Sequence, residues 1–350
     1  MRSRSSAPTM KDIARRAHVS IGTVSRVLNG HADVDPLLRE RVQSTARKMG
    51  YRLNERTRAT VQAKSRMIGL ILCNDFWLSA AQSLLLLGIE EHCSAEGYYV
   101  LFARHQFDSD ERKLALPAVI RTPGLADCVI LVGRLEEKVL KTFDRDGLSY
   151  VFLANHAEES GDASRHPVRY DDENGAYEAT CYLAQLGHRD IWYLGDDSRF
   201  WQRTRYRGYL RAMGELKLEP RAHTIALSDD EFENGHSAVS YILEQQWPVT
   251  AIVAASDELA FGVREGLRQH RKEVPKDVSL IGFENQTGHS RGSNLTSVSV
   301  DMIEVGRQLA KEAIARSEAE EPFSRDVLVP ASFIKRSTCR PLRKEEHMLL

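Results

Sequence analysis

The segment from Val19 to Gly30 constrains the fold of this chain more than any other, because it has the pattern of the second half of a helix-turn-helix. Ahead of it, Thr9 and Asp12 form a capping box, and the apolar spacing that follows predicts a first helix over Met10–Ala17. Ser20 is the candidate N-cap of a second short helix, which ends near the close of the segment. The sequence therefore predicts two short helices joined by one tight turn.

A third helix is predicted directly after this pair. Asp35 followed by Pro36 has the pattern of an N-cap with proline at the first helical position, and Gly50 marks the end of the helix. Apolar residues recur at helical spacing between these two signals. The first part of the chain is therefore predicted to be an all-α domain of three helices around one small core.

The outward face of the second helix has side chains that suit DNA. Arg26 can make a bidentate contact to guanine in the major groove, whereas Ser20 and Thr23 carry hydroxyls of the kind that contact phosphates. A generic amphipathic hairpin would show the same helical spacing, so the pattern alone leaves that alternative open. The predicted outward residues are Ile21, Gly22, Thr23, Ser25, Arg26 and Asn29.

The distribution of charge favours the DNA-binding hypothesis. Residues 1–66 contain fifteen Lys and Arg but five Asp and Glu, although the whole chain has a net charge of −1. A basic N-terminal segment on an acidic remainder supplies the salt-dependent attraction to phosphates that nucleic-acid-binding proteins need. Attraction to other acidic partners is a weaker interpretation of the same charge.

Residues 9–60 resemble the DNA-binding headpiece of the LacI/GalR (lactose-repressor and galactose-repressor) family. The resemblance rests on Lys11–Ala14, Val19–Ser20, Thr23–Asn29 and Gly50–Arg52. It implies a helix-turn-helix domain over residues 8–53 and a hinge over 54–65, and it places Ile21, Gly22 and Arg26 where the family reads bases. Gly22 has no side chain, so few direct contacts are expected there. The full set of DNA-binding residues implied by the pattern and the resemblance is Thr9, Ser20, Ile21, Gly22, Thr23, Ser25, Arg26, Asn29, Tyr51, Asn54 and Thr60.

From residue 66 onward, short apolar runs alternate with helical stretches, which predicts parallel sheets covered by helices. At 350 residues, of which 42% are hydrophobic, the chain is long enough for a headpiece and two compact lobes. The strand candidates are Ile68–Cys73, Tyr98–Phe102, Cys128–Val132, Tyr150–Leu153, Ile191–Leu194, Ala251–Ala255, Val278–Phe283 and Leu295–Val300.

This second part resembles the effector-binding core of the same family, which is similar to periplasmic sugar-binding proteins. The resemblance implies an α/β core of two doubly wound parallel-sheet lobes over residues 66–340, joined by three crossovers near Ser164, Ser293 and Ser324. The N-lobe would comprise about 66–164 and 294–323, and the C-lobe about 165–293 and 324–340. The motifs are Ile68–Leu70, Asp171 with Gly175, Gly187–Arg189, Arg205 with Gly208–Tyr209, Ser256–Asp257, Val274–Ser279, Ile281–Phe283 and Leu295–Val298.

In such a core a ligand lies at the carboxyl ends of the strands, between the lobes. Aromatic, guanidinium, carboxylate and amide groups at these positions suit a sugar. The aromatic residues are also candidates for plain core packing, Arg205 for a lobe-bridging ion pair, and Asp171 and Asp257 for helix caps. The effector residues implied by the resemblance are Asp75, Phe76, Trp77, Asn155, Arg205, Phe232, Ser256 and Glu284, the last standing where the family usually has aspartate.

Other functional classes find less support in the sequence. Residues 288–292 match the G-x-S-x-G pattern of a hydrolase nucleophile elbow, but a predicted strand rather than a helix follows them. The five cysteines lack metal-ligand or disulfide spacing and are expected to be buried thiols. No metal or cofactor is expected. The lack of a signal peptide and of a long apolar run predicts a cytoplasmic protein without membrane contact, rather than an exported sugar-binding protein.

Together these features predict a homodimeric transcriptional regulator, a repressor by the resemblance, that binds a pseudo-palindromic site on double-stranded DNA. A dimer is expected because one small headpiece contacts only one half-site. A small carbohydrate effector would switch the affinity for DNA by shifting the lobes between two states.

Three positions depart from the family pattern. His18 replaces a glycine in the turn and is expected to adopt a left-handed conformation, which histidine tolerates better than β-branched residues do. In the hinge, Leu53 replaces a proline and Thr60 replaces the leucine that inserts into the central minor-groove step.

Thr60 should therefore make operator binding less sensitive to the central base step than is usual in the family, because unstacking a step requires an apolar side chain. Affinities for operators that differ in the central dinucleotide alone would test this prediction. A strong preference for one pyrimidine–purine step would contradict it.

Overall fold

The computed structural model describes most of the chain: residues 10–28, 34–49, 64–74, 80–108, 116–122, 124–157, 165, 167–224, 230–285, 294–319 and 325–342. By internal contacts the chain forms two compact units. The first comprises residues 1–66 with 122–127, and the second comprises 67–121 with 128–350.

The first unit contains three helices, α1 (Met10–Ala17), α2 (Ile21–Leu28) and α3 (Pro36–Lys48). The predicted N-caps are confirmed. The Oγ of Ser20 accepts from the backbone N–H of Thr23 at 3.0 Å, and Asp35 Oδ1 accepts from two backbone N–H groups at 2.9 and 3.0 Å. The small core that the three helices share comprises Ile13, Ala14, Ala17, Val24, Val27, Val42 and Ala46.

The second unit contains the predicted alternation of strands and helices. Its elements up to the first crossover are β1 (Met67–Cys73), α4 (Ala80–Ala95), β2 (Tyr99–His105), α5 (Ala118–Arg121), β3 (Cys128–Gly133), α6 (Glu137–Arg145), β4 (Tyr150–Leu153), a 3-10 turn (Ala154–His156) and β5 (Pro167–Tyr170). The remaining elements are α7 (Asp172–Gln185), β6 (Ile191–Gly195), α8 (Phe200–Glu215), β7 (Arg221–Thr224), α9 (Glu231–Glu244), β8 (Ala251–Ala254), α10 (Asp257–Gln269), β9 (Ser279–Phe283), β10 (Thr296–Val300), α11 (Met302–Glu318), β11 (Val327–Val329) and β12 (Ala331–Ile334).

These strands form two six-stranded sheets, which confirms the prediction of two lobes. The first sheet has the order β11-β5-β4-β3-β1-β2, and all its strands are parallel. The second has the order β12-β10-β9-β8-β6-β7, with β12 alone antiparallel to its neighbour. The strand order reverses within each sheet, as in doubly wound folds, and the carboxyl ends of β1 and of β6 lie at the reversals.

The three crossovers lie further along the chain than Ser164, Ser293 and Ser324. The strand β5 still pairs with β4 of the first sheet, β10 belongs to the second sheet, and β11 returns to the first. The chain therefore changes lobe at Asp171, at Asp301 and at Pro330, so the predicted lobe boundaries were wrong by several residues.

Two of these crossovers share one local construction. Asp171 accepts from the backbone N–H of Asn174 at 3.1 Å, and Asp301 accepts from that of Glu304 at 3.0 Å. Each aspartate ends a strand and caps the helix that follows it, so the chain changes lobe without a separate linker. This outcome supports the helix-cap interpretation of Asp171 over a ligand contact.

Several smaller predictions have clear outcomes. His18 has a φ of 54°, which confirms the expected left-handed turn, and Gly187 after α7 has a φ of 97°, as expected of a C-cap glycine. All five cysteines are free, three of them buried and two half-buried. No helix in the described ranges is long and apolar enough to cross a membrane.

Candidate DNA-binding surface and effector site

The outer face of α2 presents the predicted DNA-binding residues that the structure describes. Ile21 is 47% exposed, and Gly22 and Arg26 are exposed as well. Thr23 is half-buried, and its hydroxyl lies 2.8 Å from the Oγ of Ser20. The outer face of α2 therefore leaves Ile21, Gly22 and Arg26 accessible to another molecule.

Packing within the headpiece does not require glycine at position 22. A Cβ placed there would meet only the Oγ of Ser20, at an ordinary contact distance of 3.6 Å. Position 22 is therefore open to a larger side chain as far as the headpiece itself is concerned.

Several predicted site residues lie outside the described part of the chain. The structure therefore leaves their predicted roles as they stood. They are Thr9, Asn29, Tyr51, Asn54 and Thr60 of the DNA-binding set and Asp75, Phe76 and Trp77 of the effector set, and the side chain of Ser25 belongs with them.

Arg205 on α8 is the centre of the predicted effector site and is 1% exposed. Its Nε donates to Asp172 Oδ1 at 2.7 Å, and its Nη1 donates to the backbone carbonyl of Ala255. The same Nη1 lies 3.5 Å from Glu284 Oε1. The guanidinium thus joins the first residue of α7 to the carboxyl ends of β8 and β9.

Aromatic rings also contact this guanidinium. Its central carbon lies 3.7 Å from the ring centroid of Phe283 and 4.5 Å from that of Trp201. Cation–π contacts of this kind stabilise a desolvated arginine without using its N–H groups. Hydrogen bonds at the edge of the guanidinium and ring contacts on its face therefore fix Arg205 in one orientation.

Asn155 connects this network to the first lobe. Its Nδ2 donates to Asp172 Oδ2 and to the carbonyl of Tyr170, both at 2.8 Å, and its Oδ1 accepts from the backbone N–H of Tyr170 at 2.8 Å. Burial raises the pKa of Asp172, while Arg205 and Asn155 act in the opposite direction. One buried carboxylate thus links a residue after β4 to α8 across the first crossover.

A second polar cluster adjoins the first and escaped the sequence analysis. Arg199 Nη1 and Gln202 Nε2 donate to Glu231 Oε1 at 2.7 and 3.1 Å, and Arg199 Nε lies 3.2 Å from Asp196 Oδ2. All four side chains follow strands or begin helices at the carboxyl edge of the second sheet. Position after a strand was the signal that could have identified Asp196.

Ser256 and Phe232 differ from the simple expectation that both face a ligand. The hydroxyl of Ser256 caps α10 by accepting from Leu259 at 3.1 Å, and it also donates to Glu231. Phe232 is half-buried and lines a groove between α9 and α10, of about 820 Å³, with Phe261 among its other walls. The structure thus brings Asn155, Arg205 and Glu284 together, with Ser256 beside them, and places Phe232 apart.

The hydrolase alternative loses its remaining support. Residues 286–293 lie outside the described ranges, but the element that follows is the strand β10. A nucleophile elbow requires a helix in that place.

The exposed second helix and the two-lobed core define a DNA-binding regulator with a core like that of periplasmic binding proteins. Comparisons with known proteins agree: residues 9–54 match the lacI family of bacterial regulatory proteins, and residues 180–339 match the periplasmic binding protein-like domain. The chain thus combines a DNA-binding domain of the LacI family with a periplasmic-binding-protein-like domain.

Similar proteins match over nearly the whole chain. The HTH-type transcriptional repressor CytR of Escherichia coli (strain K12) is 28% identical over 341 residues, 96% of this chain and 97% of CytR. The HTH-type transcriptional regulator RegA of Clostridium saccharobutylicum is 27% identical over 326 residues, 90% of this chain and 95% of RegA. The match therefore includes the headpiece and both lobes.

Solved structures confirm the fold. The lac repressor dimer bound to operator and the anti-inducer ONPF has a TM-score of 0.78 at 21% identity, covering 96% of this chain and 100% of that chain. The complex of the transcriptional regulator CelR with cellobiose has a TM-score of 0.68 at 22% identity, covering 95% and 99%.

Replacing Gly22 with alanine should leave the free energy of unfolding unchanged or raise it by up to about 1 kcal/mol, because nothing crowds the new methyl group. DNA affinity should fall by at least about tenfold, or ~1.4 kcal/mol, because the methyl group keeps α2 from the groove. Chemical denaturation and fluorescence anisotropy would measure the two effects. Gly214→Ala on α8, where a Cβ meets nothing within 4 Å, is the matched control and should leave DNA binding unchanged.

Replacing Arg205 with alanine should lower the free energy of unfolding by about 3–5 kcal/mol, because the buried Asp172 carboxylate loses its ionic partner. Arg211→Ala is the control on the same helix: its ion pair with Glu173 is exposed, so the loss should stay below about 1 kcal/mol. Urea denaturation would measure both. If Arg205→Ala costs as much in an Asp172→Asn background as in the wild type, the ion pair is not the cause.

Proposed function

We propose that this protein is a homodimeric transcriptional repressor that binds a pseudo-palindromic operator and changes its affinity when a carbohydrate effector binds between its lobes. The observation that carries the effector part is the network of Asn155, Asp172, Arg205 and Glu284, which joins residues of both lobes at the carboxyl ends of their strands. Ligands of doubly wound folds bind at this edge.

The DNA-binding part is supported by the headpiece. Arg26 and Ile21 are exposed on α2, and residues 1–66 contain fifteen Lys and Arg but five Asp and Glu, although the whole chain has a net charge of −1. We assign to Ile21, Gly22 and Arg26 the contacts with base edges, and to Ser20 and Thr23 contacts with phosphates. Thr9, Ser25, Asn29, Tyr51, Asn54 and Thr60 complete the proposed DNA-binding set.

The effector is proposed to be a sugar or a sugar derivative. CelR is a relative in fold whose structure contains cellobiose, and a LacI family regulator from Enterococcus faecium was solved with bound ribose. We assign effector contacts to Asn155, Arg205, Ser256 and Glu284, together with Asp75, Phe76, Trp77 and Phe232. Carboxylate, amide and guanidinium groups bind sugar hydroxyls in pairs.

The proposed switch acts through the crossovers. The chain changes lobe at Asp171, Asp301 and Pro330, and each change takes one or two residues. Short crossovers let the lobes rotate about a narrow hinge while each sheet stays intact. An effector that binds one arrangement of the lobes more tightly shifts the population towards it, and thereby changes the affinity for DNA.

Dimerisation through the first lobe is supported by an exposed apolar face. Leu84 and Leu87 on α4 are 46% and 44% exposed, and Tyr99 and Phe102 on β2 are 61% and 51% exposed. The strand β2 is at the edge of the first sheet. An exposed edge strand with aromatic side chains promotes aggregation unless another chain covers it, and a second copy is the partner that a two-fold DNA site requires.

We further propose that the protein catalyses no reaction and acts in the cytoplasm. Its relatives CytR and RegA are transcriptional regulators, and its proposed target is chromosomal DNA. DNA binding by the exposed face of α2 and ligand binding at the effector site account for the polar groups described above, and neither requires a chemical reaction.

Sequencing of genomic fragments bound by the full-length protein, with and without a panel of sugars, would test the proposed function. An enriched pseudo-palindrome is expected, and Arg26→Ala should abolish the enrichment because a bidentate contact to guanine contributes about 1–3 kcal/mol of discrimination. Arg15→Ala on α1, where Arg15 lies 3.8 Å from Asp12, is the control. Failure to enrich any sequence in every condition would overturn the DNA-binding proposal.

Replacing Phe102 with glutamate should convert the dimer to a monomer at micromolar concentration, because the charge would be buried in the proposed interface. Sedimentation velocity would measure the oligomeric state. Leu328→Glu is the control, because Leu328 is 51% exposed on β11 at the opposite edge of the same sheet. A dimer that withstands Phe102→Glu but not Leu328→Glu would place the interface at the opposite edge.

A further inference from the structure

The charges around the proposed effector site define the class of ligand that it accepts. Arg205 lies between Asp172 and Glu284, and Arg199 lies between Asp196 and Glu231. Four carboxylates therefore surround two guanidinium groups at the carboxyl edge of the second sheet.

Both guanidinium groups already donate to acceptors of the protein through Nε and Nη1. A phosphate or carboxylate ligand is usually held by the two parallel N–H groups of an arginine fork. On Arg205 the Nε is used by Asp172 and the Nη1 by Ala255 and Glu284, while Phe283 covers one face. The whole guanidinium is also buried.

Arg199 is engaged in the same way. Its Nε contacts Asp196 and its Nη1 donates to Glu231, which also accepts from Gln202 and from the hydroxyl of Ser256. The Asp196, Arg199 and Glu231 side chains are 11%, 19% and 16% exposed, so solvent screens their charges only in part. An anion placed here would meet carboxylates that already hold the available cations.

We infer that the effector is an uncharged, hydroxyl-rich molecule, and that the carboxylates of Glu231 and Glu284 exclude phosphorylated and carboxylated analogues. This inference rests on the proposed function, because it concerns the ligand of the same site. The carboxylates accept hydrogen bonds from ligand hydroxyls and repel a ligand phosphate, so the same groups supply both affinity and rejection. The protein therefore responds to a free sugar or glycoside rather than to its phosphate ester.

The first test compares matched pairs of ligands on the full-length protein. Glucose, ribose, cellobiose and cytidine, each beside its monophosphate ester, are titrated at equal ionic strength by calorimetry and by thermal unfolding. Any uncharged compound that binds should do so at least about tenfold more tightly than its ester. An ester that binds more tightly than its parent would overturn the inference, and release of operator DNA by that ester would still support the proposed function.

The second test uses inorganic phosphate as the probe and needs no identified effector. Glu231→Gln and Glu284→Gln each remove one carboxylate while keeping the size of the side chain, and each should bind phosphate about tenfold more tightly than the wild type. Glu219→Gln is the control: Glu219 is 81% exposed, precedes β7 at the opposite edge of the second sheet, and is 3.7 Å from Arg221. Phosphate binding that neither site variant increases would overturn the inference, whatever the result of the operator selection.

Discussion

The buried ion pair of Arg205 and Asp172 is the interaction on which the arrangement of the core depends. The two side chains are 2% and 0% exposed, and their Nε and Oδ1 atoms lie 2.7 Å apart. Removing two charges from water costs several kcal/mol per ion, so the pair must be compensated by its surroundings. Asn155, the carbonyl of Ala255 and the ring of Phe283 supply that compensation. Because each of these groups follows a different strand, the pair determines where the strand ends lie relative to one another.

An apolar pair of the same volume would give comparable stability, so the stability of the fold does not explain the presence of charge. The charged pair instead fixes the orientation of the Arg205 side chain. Arg205 has one orientation in which its Nε and Nη1 are hydrogen-bonded and two aromatic rings contact its guanidinium, and Asp172 immediately follows the first crossover. When the angle between the lobes changes, the groups of this network must therefore either move together or lose their hydrogen bonds. Two-state behaviour of the lobes is a natural property of such an arrangement.

Much of the fold was predictable because its determinants are local. The caps at Ser20 and Asp35 fix helix starts, and buried runs such as Cys128–Gly133 have no polar residue to interrupt them. The four strands that were not predicted from sequence are short, with three or four residues each: Pro167–Tyr170, which begins with proline, Arg221–Thr224, Val327–Val329 and Ala331–Ile334. Because β5 and β11 were not among the predicted strands, the first and third crossovers were predicted too early in the chain.

The effector site was predictable in part from the family resemblance. Arg205, Asn155 and Glu284 follow from family positions, and the structure brings them together. The pairing of Glu231 with Arg199 joins the starts of α9 and α8 through residues that are 32 positions apart. Periodicity and spacing contain no information about such a contact. Phe232 is the opposite case. The family resemblance assigns it to the effector site, but in the structure it lines the groove between α9 and α10.

The position of β11 and β12 in the chain has a consequence for biosynthesis. Each sheet includes one strand from the segment after residue 325, β11 in the first and β12 in the second. Neither lobe can complete its sheet until this segment has left the ribosome, whereas the three-helix headpiece is complete some 280 residues earlier. During translation the nascent chain therefore carries a finished headpiece and two unfinished sheets, in which β5 and β10 each lack a neighbouring strand on one side. Both lobes reach their final form together, within a few residues of synthesis.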